Sequence, residues 1–564
     1  MLSERLDSRW LTAAALFGLA ALAAALYLPY LGNPPVFDDK IFFSGYRHSE
    51  YAQFPLGLGL RFPPYFSLAY VQIMFGSIEA HRIVGLALHA GCAWALYGLL
   101  RALELKEPAA FGGAAMFAVH PVAVYGAGYL TQRSIVVATL FALLALILFL
   151  RGLRSGRLSD ALAAAVLYSL SVLSKEHAIL LPAAAAAMVP LTSAPLRHVI
   201  RYCGLFLAAC APAAILVVLY SRGVIGVVYE PHFPAIAAQV AAEAAADALA
   251  SPWFGSALAQ MALFFKYLFV WLVPSTGDMS LDIRVDFADL WRPAVALPAV
   301  LFFAATPLAC SVLILRRSRF AVPAWGLLYV WLLFSLELSA VRFQEPFVLY
   351  RSYLWMPGLA VFAAWALDRF SLRVAFAVLV PALLVLGWQA RDRLQILSSG
   401  LATWEDAAAK LPVDPVPGGY RTLYELGREY LYAGRPEDAI DVTERCIRQY
   451  PRVFDCAFAR AAIQIEMRQY EKALPSMLYA ISLRPDDPLA RLHLGWVLEN
   501  LGCRKEAMTQ YRISRAIGLK GAEHRLQSIE TPGKGVLPPS REGRQVDCAV
   551  LLARHPIPKS GYTP

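Results

Sequence analysis

The feature that most constrains this chain is a series of apolar blocks of about 15–23 residues, near 11–31, 82–101, 108–124, 134–150, 159–174, 177–191, 199–220, 293–315, 320–337, 352–368 and 374–390. A helix of that length crosses a bilayer core, where helices and closed barrels alone leave no backbone group unsatisfied. Composition agrees: 58% of the 564 residues are hydrophobic and 16% charged, against about 25% charged in soluble domains. The first block is too long for a signal-peptide core and shows no clear cleavage site, so it reads as a retained helix. An all-α polytopic membrane bundle of about eleven spans is expected.

Charge orients the bundle. The basic loops RALELKE, RGLRSGR, PLRHVIR, RRSR and DRFSLR, with Arg5 and Arg9, fall on one side when the N-terminus is placed inside. The net charge of +10 is therefore an orientation signal and not a mark of nucleic-acid binding. A further block, LAQMALFFKYLFVWLVP at 258–274, carries Lys266 at its middle. A central Lys costs about 3 kcal/mol on insertion scales, and a span here would move RRSR and DRFSLR outside. It is read as re-entrant or interfacial. The same parity puts Asp38 and Asp39, His120 to Arg133, Lys175–Glu176–His177, Asp278 and Asp282, and Arg351 on the outer face. Arg far outnumbers Lys and Ala is abundant, a bacterial pattern. The expected place is a bacterial inner membrane, with outer loops and C-terminal part in the periplasm.

From about Gly419 the chain turns polar and repeats every 34 residues: Ala439, Ala473 and Ala507; Gly427, Ala461 and Gly495; Pro451 and Pro485. Small residues at helix crossings and a closing Pro define tetratricopeptide repeats, whose helix pairs stack into a superhelix. The expected organisation is a membrane domain over 1–395, a linker over 396–419 containing LPVDPVPGG, three repeats over 420–520, and a Pro- and Arg-rich tail over 521–564, partly disordered. The repeat groove would hold a peptide or partner; the alternative is a solubilising cap. Cys446, Cys456, Cys503 and Cys548 lie in this polar part and allow one or two disulfides, with the pairing open. Cys92, Cys203, Cys210 and Cys310 read as small core residues.

The motifs FDDKIFF, RFPPYFSLAYVQIMFG, HPVAVYGAGYLTQRSIVVATLFALLAL, VLSKEHAILLP, LVPSTGDMSLDI and YRSYLWMPGLAV occur in this order. The ordered set resembles the polytopic GT-C glycosyltransferases, most closely the O-mannosyltransferase-like family that joins a multispanning domain to tetratricopeptide repeats. Two departures stand out: Tyr350 replaces the usual acidic residue before Arg351, and RFPP (Arg61 to Pro64) replaces a common RP. The resemblance implies transfer of a sugar from a polyprenyl-phosphate carrier to an acceptor on the outer face, with Asp38 and Asp39 catalytic.

The residue types suit that chemistry. A polyprenyl phosphate leaves as an anion, so no general acid is needed and one base for the acceptor hydroxyl suffices; Asp38 is the candidate. Adjacent carboxylates repel and raise one pKa, which Lys40, a backbone donor or a divalent cation on Asp39 would offset. The departing phosphate calls for cations: Arg351 first, for its bidentate fork, then Lys175 and Arg133. Arg61, His120, Glu176 and Asp278 are candidates for holding substrate. Each has a bland alternative: Arg351 as a snorkelling anchor, Lys175 and Glu176 as a pair, Arg133 as a helix-end cap, His120 as a structural histidine. Other readings stay open: an enzyme of the same fold acting on a glycolipid or polysaccharide or moving an oligosaccharide, and a non-enzymatic anchor whose repeats recruit partners. A transporter fits poorly, because the charges gather at one face and not at the midplane.

Overall fold

The computed structural model describes residues 2–44, 51, 59–242, 251–530 and 548–561. Residues 45–50, 52–58 and 243–250, between expected spans, and residues 531–547 and 562–564 of the tail, lie outside the described residues. The described chain divides into two units, Met1–Asp406 and Ala407–Pro564.

The first unit is helical and multi-pass. Among the described residues eight helices are long and apolar enough to cross a membrane, or nine if the bent pair Glu107–Ala118 and Pro121–Ala127 is one span. Pro121 explains that bend, since it removes a helical N–H and disfavours helix at His120. The expected span over 177–191 is broken into a 3-10 turn at Glu176–Leu180, the helix Leu181–Ala186 and a second 3-10 turn at Val189–Leu191. Those over 159–174 and 352–368 become the shorter helices Leu158–Ser174 and Pro357–Leu367.

Helix position follows from side-chain size and exposure. In Pro293–Leu315 the residues Leu297, Leu301, Phe302 and Leu308 are all more than 60% exposed, as suits a face against lipid. Arg133–Ser155 instead buries Ile135, Ala142, Leu146 and Phe149 at the centre. Helices Ala321–Phe334 and Pro357–Leu367 cross at Gly326 and Gly358, where a Cβ on either glycine would collide with the other's carbonyl. Close backbone approach of this kind is how membrane helices pack without a hydrophobic drive.

Residues 258–272 belong to one uninterrupted helix, Pro252–Leu272, with no break of a re-entrant kind. Its contacts show why it carries a lysine. The Trp253 indole donates to Leu338 O at 2.8 Å, Gln260 to Pro346 O at 2.8 Å, and Trp271 to Ser352 Oγ at 2.9 Å. Past the helix end, Gln389 donates to Pro274 O at 3.0 Å and Arg393 to Met279 O at 2.8 Å. Leu338, Gln389 and Arg393 all lie towards the C-terminal ends of their helices. The helix thus enters and leaves against one end of the bundle. Lys266 Nζ lies 4.9 Å from the Phe347 ring centre, a cation–π seat in the 338–352 segment.

The second unit consists of helix pairs in the period read from the sequence: Tyr420–Tyr432 with Pro436–Gln449, Phe454–Glu466 with Tyr470–Leu483, Pro488–Asn500 with Arg504–Ile517, then Lys520–Glu530. The segment expected as linker includes the helix Gly400–Ala409. Ala439, Ala461, Ala473 and Ala507 are fully buried. The turn inside each pair places Gly434, Arg468 and Gly502 at φ 72, 58 and 88°; Arg468 bears the strain that glycine avoids. Disulfides join Cys446 to Cys456 and Cys503 to Cys548. The second ties down the helix Cys548–Arg554, and Arg491, buried, donates to Pro558 O at 2.9 Å.

Candidate active site

The loop carrying the paired aspartates is pinned before either does chemistry. Arg82, buried in the helix Ile78–Ala102, donates to Asn33 O at 2.8 Å, Pro34 O at 3.0 Å and Gly128 O at 2.8 Å. Asn33 in turn donates to Leu394 O at 2.8 Å. Phe37, just before the pair, sits at φ 47°, a left-handed conformation that bulky residues rarely adopt and that surrounding structure must enforce.

The two aspartates then part company. Asp39 is fully buried; its Oδ1 accepts from the Thr131 N–H at 2.8 Å and its Oδ2 from the Leu130 N–H at 3.2 Å. Burial pushes its pKa up to about 6, against those amides and Arg82, which favour the anion. Asp39 fastens the first loop to the 3-10 turn Leu130–Gln132. Asp38 starts the helix Asp38–Ser44, has its N–H held by Tyr129 Oη at 3.0 Å, and faces a cavity of about 380 Å³.

That cavity brings together Asp38, Arg61, Lys175, Glu176 and Arg351, all named from the sequence. It adds Arg342, Glu345, Tyr229 and Tyr350. Arg61 caps the helix Phe62–Phe75 at φ 63°, its N–H donating to Leu173 O at 2.7 Å, and its guanidinium pairs with Glu176 at 3.0 Å. Lys175 Nζ lies 3.7 Å from the same carboxylate. Burial first, and then the nearby Arg61, lower its pKa to about 7. Burial alone would raise the Glu176 carboxyl, but Lys175 and Arg61 outweigh it and hold it well below the usual range. Among the described residues Glu176 Oε2 and His177 Nδ1 are buried without a hydrogen-bond partner; buried polar atoms of that kind call for an explanation, such as a ligand.

Arg351 is not a loose anchor. It is buried, 3.3 Å from Glu337 Oε2 and 3.0 Å from Glu345 Oε2. Glu337, fully enclosed behind the cavity, also accepts from His177 at 2.6 Å and lies 3.2 Å from Arg342 Nε. One carboxylate thus orders two arginines and a histidine. A guanidinium has five N–H donors, so an arginine held along one edge still offers others to an anion.

Three sequence candidates lie elsewhere. Arg133 does not line the cavity; it donates to His81 O at 2.8 Å and to Ser67 Oγ at 3.3 Å, tying three helices together. His120 accepts from the Val122 N–H at 3.2 Å, stacks on Trp271 at 4.3 Å and sits 3.0 Å from Trp271 O. Asp278 is exposed in the turn Thr276–Asp278. Asp39 does not fit a cation either: its oxygens face amide donors, and the one cluster of metal-capable side chains among the described residues, Cys503, Glu506 and Cys548, contains a disulfide. Arg342 and Tyr229 were missed because each sits in an irregular segment with no motif; the strap from 224 to 232 reaches the site only through long-range bonds such as Glu230 accepting from the Phe343 and Gln344 N–H groups at 3.0 and 2.7 Å.

Residues 62–220 match the family described as dolichyl-phosphate-mannose-protein mannosyltransferase. The likeness to polytopic GT-C glycosyltransferases is borne out. Three solved structures resemble the chain loosely. The Archaeoglobus fulgidus oligosaccharyltransferase in its apo form has a TM-score of 0.39 at 14% identity, covering 74% of this chain and 59% of that one. The arabinofuranosyltransferase AftD from Mycobacteria has 0.36 at 17%, covering 71% and 28%. The archaeal oligosaccharyltransferase AglB from A. fulgidus, in complex with an inhibitory peptide and a dolichol-phosphate, has 0.37 at 14%, covering 76% and 59%. The chain therefore spans less than two thirds of these structures, and such scores place no residue. No curated protein matches the chain. The family match over residues 62–220 takes in Lys175, Glu176 and His177 but neither Asp38 nor Arg351, so those two rest on geometry.

Proposed function

We propose that this protein is an inverting glycosyltransferase that moves a sugar from a polyprenyl-phosphate carrier to a hydroxyl of an extracytoplasmic acceptor, with protein as the acceptor. The observation that carries the reading is Asp38 facing one cavity with Arg61, Lys175, Arg342 and Arg351, while Asp39 is consumed by the backbone. The acceptor oxygen attacks the anomeric carbon as its proton passes to Asp38; the bond from that carbon to the phosphate oxygen breaks, and the phosphate leaves with the electron pair onto the cationic side of the cavity. Glu176 Oε2 and His177 Nδ1 offer partners to sugar hydroxyls. The two disulfides support an oxidising compartment for the repeat unit, in keeping with its expected periplasmic side.

The test is direct. Purified protein given a polyprenyl-phosphate hexose and a hydroxyl-bearing peptide should yield glycopeptide of inverted anomeric configuration. Folded protein that transfers from no polyprenyl-phosphate sugar contradicts the reading.

A further inference from the structure

A second hollow lies apart from the polar cavity. It measures about 510 Å³ and is lined by apolar side chains, among them Leu272, Phe302, Ala309, Leu313, Phe320 and Phe362. Its roof is the end of Pro252–Leu272, the helix whose two ends meet the same end of the bundle. Leu268 and Leu272 of this helix line one end of the hollow, and the other lining residues come from Pro293–Leu315, from Phe320 and the helix Ala321–Phe334, and from Pro357–Leu367. From Phe302 to Leu313 the groove runs eleven residues along one helix, roughly 16 Å at about 1.5 Å per residue. Half of a bilayer core is about 15 Å. The groove is one leaflet deep.

Its far mouth is basic. Arg316, Arg317 and Arg319 follow directly on the helix Pro293–Leu315. The Arg319 guanidinium lies 4.8 Å from the ring of Phe320, a groove residue. Phe320 and Trp365 are 5.3 Å apart, and the Arg369 guanidinium lies 4.9 Å from Trp365. The nearby Asp368 is occupied by Lys106, whose N–H it accepts at 2.9 Å. Arg317 is committed to Thr192 O at 2.7 Å, whereas Arg316 and Arg319 are exposed. By the charge pattern this mouth is the cytoplasmic side, where the leaflet is anionic.

We propose that this groove is a binding site for an anionic glycerophospholipid of the cytoplasmic leaflet, with one acyl chain in the apolar channel and the phosphate on Arg316 and Arg319. The lipid completes the bundle beneath a helix that does not cross.

The test uses the full chain purified in mild detergent and stripped of lipid, with bound lipid read by native mass spectrometry. Phosphatidylglycerol should be retained at least about tenfold over phosphatidylethanolamine. Arg316→Ser with Arg319→Ser, both on the surface, should abolish that preference. Ala309→Trp, which fills the channel from an exposed position, should lose both lipids at unchanged melting temperature. Equal retention of the two lipids by the unaltered protein overturns the proposal, as does undiminished phosphatidylglycerol on the paired arginine variant. Displacement of phosphatidylglycerol by a polyprenyl phosphate at equal concentration would give the groove to the carrier and also overturn it.

Discussion

The polar cavity and the apolar groove are of similar size, about 380 and 510 Å³, and are held together by opposite physics. In the cavity each charge removed from water requires a partner: Arg61 takes Glu176, and Arg351 and Arg342 share Glu337. Such a set is stable only as a whole, which fixes every member's position. The groove is shaped by where helices fail to meet, and any apolar side chain of suitable size would line it. Charge networks fix geometry; apolar gaps fix only shape.

The largest expected effect is at the hub of the network. Glu337→Ala leaves Arg342, Arg351 and His177 around an unbalanced buried site, and breaking buried pairs by removing one partner costs about 3–5 kcal/mol. Thermal unfolding should show most of the folded protein lost; a melting temperature near that of the unaltered chain would mean that the network carries no load. Arg82→Leu removes the three carbonyl contacts that place the first loop. Misplacing a base by about 1 Å costs about 10² in rate, so turnover should fall by that order with donor KM little changed. A rise in KM alone would contradict the assignment of Arg82 as a positioning residue.

Lys175 gives a smaller, pH-dependent effect. Its pKa is lowered to about 7, so it is charged below that pH and increasingly neutral above it, facing Arg61, Glu176, Arg342, Glu345 and Arg351. A bound phosphate favours the charged form. Donor affinity should therefore fall as pH rises through about 7, by up to tenfold per unit, and Lys175→Arg should flatten the profile. An unchanged profile in that variant would assign the dependence elsewhere. The smallest effect belongs to Asp278→Asn: an exposed change away from the cavity should stay within about 0.5 kcal/mol in stability, with activity near normal.

The sequence made much of the cavity legible because buried charges are conspicuous among apolar residues: Asp38, Lys175, Glu176 and Arg351 stand out at block ends. It also misassigned by the same rule. Arg133 and His120 carry the right chemistry at the right depth, but their partners, His81 O and the Trp271 ring, come from helices about 50 and 150 residues away, which periodicity does not report. Asp38 and Asp39 were indistinguishable in a string of letters; the direction of the Leu130 and Thr131 amides separates them. The long helix Pro252–Leu272 was hidden by Lys266, whose seat over Phe347 is a tertiary contact. The groove left no trace, since it is an absence between helices.

The central claim is that Asp38 takes the acceptor's proton while Asp39 only holds the loop. Turnover of purified Asp38→Asn, in transfer from a polyprenyl-phosphate sugar, tests it most directly. Asn keeps the shape but accepts no proton, and a positioned general base is worth about 10²–10⁴ in rate. The account predicts a loss of that order with melting temperature and donor affinity unchanged. Near-normal turnover by folded Asp38→Asn would contradict it.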